Sequence, residues 1–202
     1  MHKGRLFVIS GPSGAGKGTI CKEILEADNI KLSVSMTTRQ PREGEIEGTS
    51  YFFVSKDEFE KIIDENGFLE YAKVYGNFYG TPKQEVLDMM KQGLDVVLEI
   101  DIQGALQVKE AYPDGIFIFI LPPSMMELRQ RITKRGTETK QSLEHRLGEA
   151  LKEISYIHKY DYCVVNQKLS EAVERVAAII KAEHSTVTED VYEVIKRYKE
   201  EM

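Results

Sequence analysis

A glycine-rich loop between an apolar run and a helical pattern is the feature that most restricts the fold of this chain. The sequence GPSGAGKGT occupies residues 11–19 and directly follows the apolar run RLFVIS at 5–10. When the pattern G-x-x-x-x-G-K-[ST] lies between a strand and a helix, the loop binds phosphate through backbone N–H groups, the N-terminus of the helix and the lysine. We therefore predict a nucleotide-binding loop, which fits the complete pattern better than a glycine-rich turn without a ligand.

The loop departs from its motif at one position. Gly18 stands where a hydroxyl is expected, and the hydroxyl follows one residue later at Thr19. The sequence GKGT resembles the loops of nucleoside monophosphate kinases, so we expect Thr19 to serve the phosphates while magnesium is held mainly through water and the nucleotide. The candidate phosphate-binding residues are Gly11, Pro12, Ser13, Gly14, Ala15, Gly16, Lys17, Gly18 and Thr19.

The size, charge and cysteine content of the chain exclude several classes of protein. Its 202 residues are 42% hydrophobic, which is enough for one core with small appended units. A net charge of −6 argues against nucleic acid and anionic membranes as partners, because both require a broad basic surface. Cys21 and Cys163 form no C-x-x-C pair and the N-terminus lacks the apolar core of a signal peptide, so we expect a cytoplasmic protein.

Apolar runs and helical patterns alternate along much of the chain. The runs are rich in Val, Ile and Phe and scarcely alternate with polar residues, as in strands covered on both faces. The fold class is therefore predicted to be α/β, with a P-loop NTPase-type parallel sheet flanked by helices. The predicted strands cover 5–10, 94–100, 115–121 and 160–165, and the predicted helices cover about 16–27, 102–111, 124–134 and 169–186.

Two segments interrupt this alternation. Residues 35–81 place short β-like pieces around the helical pattern KDEFEKIID and are predicted to form an inserted mixed α/β unit. Residues 123–150 are basic and polar and are predicted to form a lid of two helices joined by the loop RGTET. The tail, 187–202, is patterned as an amphipathic helix that either packs on the core or aids self-association as a homodimer. The core domain is assigned to 1–34, 82–122 and 151–202.

Polar residues near the start of the inserted unit form a compact cluster: Ser35, Arg39, Arg42, Glu45 and Tyr51. Two arginines can fork a phosphate dianion, and a tyrosine hydroxyl can complete its shell. The cluster therefore indicates a second phosphate site, although a solvated polar loop is an equal alternative on these residues alone.

Two carboxylates, Glu99 and Asp101, close the apolar run VVLEI and lie on one side of the strand pleat. Acidic residues at the carboxyl end of a buried parallel strand lie where open α/β sheets bind ligands. A purely structural alternative for Asp101 is that it caps the next helix.

Seven motifs along the chain occur in the order seen in one enzyme family. They are GPSGAGKGT, SMTTRQPREGE, YGNFYGT, LEIDIQG, PPSMMELRQRI, RGTET and CVVN, and they span about residues 5–185. This order resembles the guanylate kinases, and the combination of TTRxPRxGE with EIDIQG is highly specific. The resemblance implies transfer of the γ-phosphoryl group from ATP, with Mg²⁺, to GMP or dGMP, in purine metabolism and GMP recycling. It also implies that the inserted unit binds GMP.

The resemblance further implies a role for each matched residue. Arg39, Arg42, Tyr51 and Tyr79 would hold the GMP phosphate, with Glu45 in the same cluster, and Ser35, Glu70, Thr81 and Asp101 would read the guanine. Glu99 would belong to the GMP site and orient magnesium through water, with Thr19 as a second candidate for magnesium, and Asn166 would lie near the adenine. Arg131, Arg135 and Arg146 would descend with the lid, Arg131 and Arg135 onto ATP. The catalytic residues would be Lys17, Arg39, Arg135 and Arg146.

The chemistry of GMP supports this interpretation. Guanine has N1–H and N2 amino donors on one edge, which a carboxylate such as Glu70 can accept together, whereas adenine would leave that carboxylate unpaired. The second pKa of a phosphate monoester is about 6, so GMP at neutral pH is mostly a dianion and already a nucleophile. Catalysis then requires alignment, charge neutralisation and exclusion of water, and no catalytic base.

Three other functions are less consistent with the sequence. Guanylate-kinase-like binding modules usually lack an intact phosphate loop, whereas here the loop is complete and Arg135 and Arg146 are present. A kinase for another small acceptor is disfavoured by the pair Glu70 and Asp101. A P-loop GTPase is disfavoured because the base-reading motif N-K-x-D is absent.

Overall fold

A sheet of five parallel strands forms the centre of the protein in the computed structural model, which describes residues 3–26, 29–134, 140–187 and 189–201. Numbered along the chain, its strands are β1 (Leu6–Ser10), β2 (Ile30–Leu32), β7 (Asp95–Glu99), β8 (Ile116–Leu121) and β9 (Tyr162–Val165). Their order is β2-β7-β1-β8-β9. The glycine loop therefore leaves the middle strand at the carboxyl edge of the sheet, where α/β folds bind ligands.

Helices cover both faces of this sheet, namely α1 (Lys17–Ile24), α3 (Lys83–Lys91), α4 (Ile102–Ala111) and α7 (Leu169–Glu183). Strand β1 shows how the faces are divided, because successive side chains of a strand point to opposite sides. Phe7 and Ile9 pack in a core with residues of α1 and α7, whereas Leu6 and Val8 pack with residues of α3 and α4. The predicted fold class, a parallel sheet flanked by helices, is confirmed.

A second, mixed sheet lies in the segment predicted to be inserted. Phe59, on the helix of this unit, is fully buried, and its ring centroid lies 4.3 Å from that of Phe68 and 5.3 Å from that of Phe78. Helix and sheet therefore share one small aromatic core. The elements are β3 (Met36–Thr37), β4 (Phe52–Phe53), α2 (Lys56–Asp64), β5 (Phe68–Val74) and β6 (Asn77–Pro82), with the strand order β4-β3-β6-β5.

The segment predicted to be a lid contains α5 (Met125–Lys134) and α6 (Lys140–Ile154), followed by a 3-10 helix at Ser155–Lys159. Its helices are joined to each other by a small buried cluster of Leu128, Ile132, Leu147 and Ala150. The predicted connecting loop RGTET, and with it Arg135, lies outside the described residues.

The C-terminal segment contains the predicted helix, α8 (Glu189–Glu200). Its apolar side chains Val191, Val194, Ile195 and Tyr198 keep between 38% and 61% of their area exposed, so they are not buried against the core. Within the described part of the chain, no helix is both long enough and apolar enough to cross a membrane.

Several short elements were not predicted from the sequence, among them strands β2 and β3, helix α3 and the 3-10 helix at Ser155–Lys159. Strand β2 is the three-residue segment IKL at the edge of the sheet, too brief to show a pattern. Helix α3 follows β6 directly and buries only Val86 and Met90, one turn apart. Helix α1 also ends at Ile24 and α7 at Glu183, both earlier than expected.

Candidate active site

The glycine loop curls between the end of β1 and the start of α1, as its motif predicts. Gly16 precedes the helix with a φ of 98°, and a Cβ at this position would come within 2.4 Å of Asn166 Nδ2. Both the left-handed backbone and the contact therefore require glycine. Gly16 offers no side chain to cap α1, so the helix N-terminus keeps N–H groups for an anion.

Lys17 lies inside the loop, where its Nζ donates a hydrogen bond of 2.6 Å to Gly11 O. Burial lowers the pKa of Lys17, and the nearby carboxylates of Glu99, Glu153 and Asp101 oppose that shift. The ammonium group therefore has several anionic neighbours before any nucleotide binds.

The missing hydroxyl at position 18 has a local explanation. A Cβ on Gly18 would lie 3.2 Å from Glu99 Oε1 and 3.4 Å from Glu99 Oε2. Glycine thus makes room for the carboxylate at the end of β7, the strand paired with β1. Thr19 and Glu99 are both exposed, so both oxygen groups are open to a ligand or to water.

Residues from distant segments close over the loop. Arg131 donates from Nη2 to Asn166 O at 2.9 Å, and Asn166 Nδ2 in turn donates to Ala15 O at 2.8 Å. Arg146 donates from Nη2 to Ser13 Oγ at 2.6 Å. The structure therefore brings two of the three predicted lid arginines and the predicted adenine-side asparagine to the loop.

A cavity of about 230 Å³ separates the inserted unit from α4. An adjoining cavity of about 250 Å³ shares Ser35, Tyr51 and Ile100 with it and extends to Thr81 and Glu99. The two cavities thus lead from the inserted unit to the carboxylate beside the phosphate loop. The predicted residues that line the first cavity are Ser35, Tyr51, Glu70, Tyr79 and Asp101.

The predicted phosphate cluster is assembled around Arg39. Its two Nη atoms donate to the two carboxylate oxygens of Glu45 at 2.9 and 2.8 Å, and Arg42 N donates to the same carboxylate at 2.7 Å. Hydrogen bonding to Glu45 is the main cause that raises the pKa of Arg39, and Tyr79 raises it further. The guanidinium carbon of Arg39 lies 5.4 Å from the ring centroid of Tyr51. Within the described residues, Arg39 Nε is buried without a hydrogen-bond partner. Since this atom has almost no accessible surface, a ligand oxygen could reach it only after the surrounding side chains move.

The predicted base-reading residues also meet. Thr81 Oγ1 donates to Glu70 Oε1 at 2.6 Å, and the N–H of Gly104 donates to Asp101 Oδ1 at 2.8 Å. Burial raises the pKa of Glu70, with a further rise from Asp101 and a lowering by Thr81. Asp101 is the N-cap of α4, which was the structural alternative for this residue, and it lines the cavity as well.

Three residues at this site were not identified from the sequence. A Cβ on Gly104 would lie 3.2 Å from Glu70 Oε2, and Gln107 Oε1 accepts a hydrogen bond of 3.1 Å from Tyr71 N. Glu153 lies near Lys17. The isolated glycine within the helical pattern of α4 was a usable signal for close packing, whereas the other two contacts leave no local pattern.

Comparisons with known proteins agree with this geometry. A family model described as guanylate kinase matches residues 3–183. The guanylate kinase of Clostridium tetani strain E88 is 68% identical over 169 residues, which is 84% of this chain and 81% of that protein. The guanylate kinase of Clostridioides difficile strain 630 is 52% identical over 203 residues, which is 100% and 99% of the two chains.

A solved structure supports the same assignment at the level of the fold. The crystal structure of guanylate kinase from Anaplasma phagocytophilum superposes with a TM-score of 0.70 at 37% identity, covering 92% of this chain and 89% of that one. Family model, relatives and fold therefore agree over nearly the whole chain, and this chain belongs to the guanylate kinase family.

Proposed function

We propose that this protein transfers the γ-phosphoryl group of ATP to GMP or dGMP, giving ADP and GDP or dGDP, and so serves purine nucleotide metabolism and the recycling of GMP. One observation carries this proposal above the others. A phosphate loop with its lysine lies at the same edge of one sheet as a cavity that is lined by the half-buried Glu70 and by Tyr51, the ring beside Arg39.

The acceptor phosphate would be held by Arg39, Arg42, Tyr51 and Tyr79. The guanidinium groups of Arg39 and Arg42 suit a phosphate dianion, because guanidinium–phosphate hydrogen bonds are charge-assisted. Glu45 would act through Arg39, since it holds both Nη atoms and fixes the plane of the guanidinium. The cluster then aligns a phosphate dianion that needs no base to become a nucleophile.

The guanine would be read by Ser35, Glu70, Thr81 and Asp101. The hydroxyl of Thr81 donates to one oxygen of Glu70, which leaves acceptor sites on the carboxylate for N1–H and the N2 amino group. Adenine has no N1–H and no 2-amino group, so it would leave a buried carboxylate unpaired.

The donor nucleotide would place its phosphates in the loop at 11–19, with Lys17 at the outer phosphates and Asn166 near the adenine. Within the described residues, no group of three or more His, Cys, Asp or Glu could hold a metal ion. One carboxylate, Glu99, and one hydroxyl, Thr19, suit Mg²⁺, which keeps most of its waters and binds mainly to nucleotide oxygens. Bound there, Mg²⁺ would neutralise charge on the phosphates.

Closure of the lid would bring Arg131, Arg135 and Arg146 to the transferring group. Their charges would offset the charge of the phosphates, and the closed lid would keep water from the γ-phosphate. In this scheme residues 35–81 work as the acceptor unit and 123–150 as the lid, although α6 continues to Ile154.

The first test is an acceptor panel of GMP, dGMP, AMP, CMP and UMP with MgATP in a coupled assay for ADP release. We expect turnover with GMP and dGMP only. Equal turnover of AMP and GMP would contradict the guanine assignment, and a flat trace with every acceptor would favour a binding module.

A second test separates the two nucleotide sites. Glu70→Ala is expected to lower kcat/KM for GMP by roughly 10³- to 10⁴-fold, because it removes a charged partner of the base, while binding of ATP stays within about twofold. Glu65→Ala is the matched control, since that side chain lies in the same unit and is 63% exposed. A loss of ATP binding equal to the loss of GMP turnover would argue against the division of roles.

The expected setting is the cytoplasm, which is consistent with two free thiols at Cys21 and Cys163. Self-association as a homodimer through α8 stays a prediction of the sequence. Light scattering on the full chain and on a chain ending at Ser185 would test it, because only the full chain should form the dimer.

A further inference from the structure

Two of the carboxylates that would read guanine come from different units of the fold. Glu70 lies on β5 of the inserted unit, whereas Asp101 precedes α4 of the central core. They approach each other at Gly104, where a Cβ would lie 3.2 Å from Glu70 Oε2 and 3.5 Å from Asp101 Oδ1. The spacing between the two carboxylates therefore depends on how β5 is held against α4.

A hydrogen bond from the side chain of Gln107 joins α4 to β5. Gln107 Oε1 accepts the backbone N–H of Tyr71 at 3.1 Å, and Tyr71 directly follows Glu70 in the strand. Since a backbone N–H can only donate, it is the amide oxygen of Gln107 that faces the strand. Gln107 lies one turn after Gly104 on α4 and lines the same cavity. The bond therefore holds the backbone next to the base-reading carboxylate.

The hydrogen bond of the Glu70 carboxylate itself does not fix its distance from the core. This bond comes from Thr81 Oγ1 at 2.6 Å, and Thr81 lies on β6, the neighbouring strand of the inserted unit. A movement of β5 and β6 together would keep the bond and still change the distance from Glu70 to Asp101. The bond from Gln107 to Tyr71 crosses between the two units and opposes such a movement.

This crossing bond is better suited to setting a position than to stabilising the fold. Strand β5 is an edge strand of the mixed sheet, and the N–H of Tyr71 bonds to a helix and not to β6. Tyr71 keeps 40% of its area exposed, so water could replace the glutamine as the acceptor of this N–H. Loss of the bond would therefore cost little stability, but it would release the strand beside Glu70.

We propose that Gln107 is a positioning residue for the recognition of guanine, which holds β5 against α4 and so sets the spacing between Glu70 and Asp101. The inference rests on the proposed binding of GMP in this cavity. The guanine edge carries N1–H and the 2-amino group side by side, and hydrogen bonds weaken as distance and angle depart from their optimum. Two carboxylates can therefore accept from that edge together only at a suitable spacing, and Gln107 acts on the base through Glu70.

Two variants separate the hydrogen bond of Gln107 from the volume of its side chain. In Gln107→Met the side chain keeps a similar length but offers only a weak acceptor, whereas in Gln107→Glu it keeps an oxygen for the N–H of Tyr71. Gln84→Met is the matched control. Gln84 is exposed on α3, lines neither cavity and also loses one amide hydrogen bond, which runs from Nε2 to Asp88 Oδ1 at 2.8 Å.

Steady-state kinetics with varied GMP and with varied MgATP test the role of Gln107. We expect Gln107→Met to raise KM for GMP about tenfold, the order expected when a hydrogen bond to a charged group is misplaced, and to leave KM for ATP within about twofold. Gln107→Glu should stay within about threefold of the wild-type KM for GMP, and Gln84→Met should match the wild type. The melting temperature of Gln107→Met should stay within about 4 °C of the wild-type value, as for one lost hydrogen bond.

Hydrogen exchange of the Tyr71 amide, followed by NMR without nucleotide, tests the contact itself. This amide should exchange about tenfold faster in Gln107→Met than in the wild type, and Gln107→Glu should restore its protection. The inference is overturned if folded Gln107→Met keeps the wild-type KM for GMP or the wild-type exchange at Tyr71. An equal loss in Gln107→Glu, or an equal rise in KM for ATP, also overturns it. Wild-type protein that does not phosphorylate GMP would instead overturn the proposed function, and this inference with it.

Discussion

Replacing Gly104 by alanine would place one methyl group against the proposed base-reading carboxylate. The new Cβ would lie 3.2 Å from Glu70 Oε2 and 3.5 Å from Asp101 Oδ1, whereas ordinary contacts begin at 3.4 Å. Thr81 holds the other oxygen of Glu70 at 2.6 Å, so the carboxylate cannot turn away without losing that hydrogen bond. It must therefore shift by a few tenths of an ångström within its site.

The effects on stability and on activity should differ in size. Gly104 lies inside helix α4, where alanine is favoured over glycine by about 1 kcal/mol, and the crowding of Glu70 offsets a similar amount. The net change in the free energy of unfolding is expected to stay within about 1 kcal/mol. A hydrogen bond to a charged group contributes about 1.5–3 kcal/mol, so misplacing one of the guanine bonds should lower kcat/KM for GMP about 10- to 100-fold.

Steady-state kinetics with varied GMP, together with thermal unfolding, would measure both quantities. Gly148→Ala is the matched control, because this exposed glycine lies inside α6 and a Cβ there would meet nothing within 4 Å. The control should gain about 0.5–1 kcal/mol of stability and keep its KM for GMP. A folded Gly104→Ala protein with wild-type kinetics toward GMP would refute the placement of Glu70 at the base.

The remaining predictions concern acidity, the loop and the small core. Because its pKa is raised, the carboxylate of Glu70 takes up a proton at a higher pH than a free glutamate does. The KM for GMP, measured from pH 8 to pH 5, should therefore rise as the pH falls. This rise should exceed the one caused by protonation of the GMP phosphate, whose pKa is about 6. Glu70→Gln should lack that extra rise, and superimposable profiles would contradict it. Gly16→Ala should abolish ATP binding in a titration, since its Cβ would lie 2.4 Å from Asn166 Nδ2 at a φ of 98°; retained affinity would count against the loop geometry. Phe59→Ala should cost about 3–5 kcal/mol in chemical denaturation, because the ring is fully buried against Phe68, and a cost below about 1 kcal/mol would show that the inserted unit does not depend on this core.

Features encoded in neighbouring residues were predictable from the sequence. The loop at 11–19, the strand before it and the helix after it depend on local backbone geometry, and the buried strands on continuous apolar runs. The three-residue strand β2 could not be found in this way, because its place depends on pairing with β7 at the sheet edge. Contacts that join distant segments were equally hidden, as Gln107 with Tyr71 and Gly104 with Glu70 show.

The pairing of Arg39 with Glu45 has a consequence for selectivity among anions. With the two arginines of this cluster and one glutamate held against them, the empty acceptor subsite carries a net charge of about +1 and not +2. Its pull on inorganic phosphate or sulfate, which offer charge but no purine, is correspondingly weaker. A nucleoside monophosphate that also fills the carboxylate-lined cavity should therefore bind more tightly than these simple anions. The subsite should thus remain unoccupied by phosphate or sulfate in a solution that contains much of either.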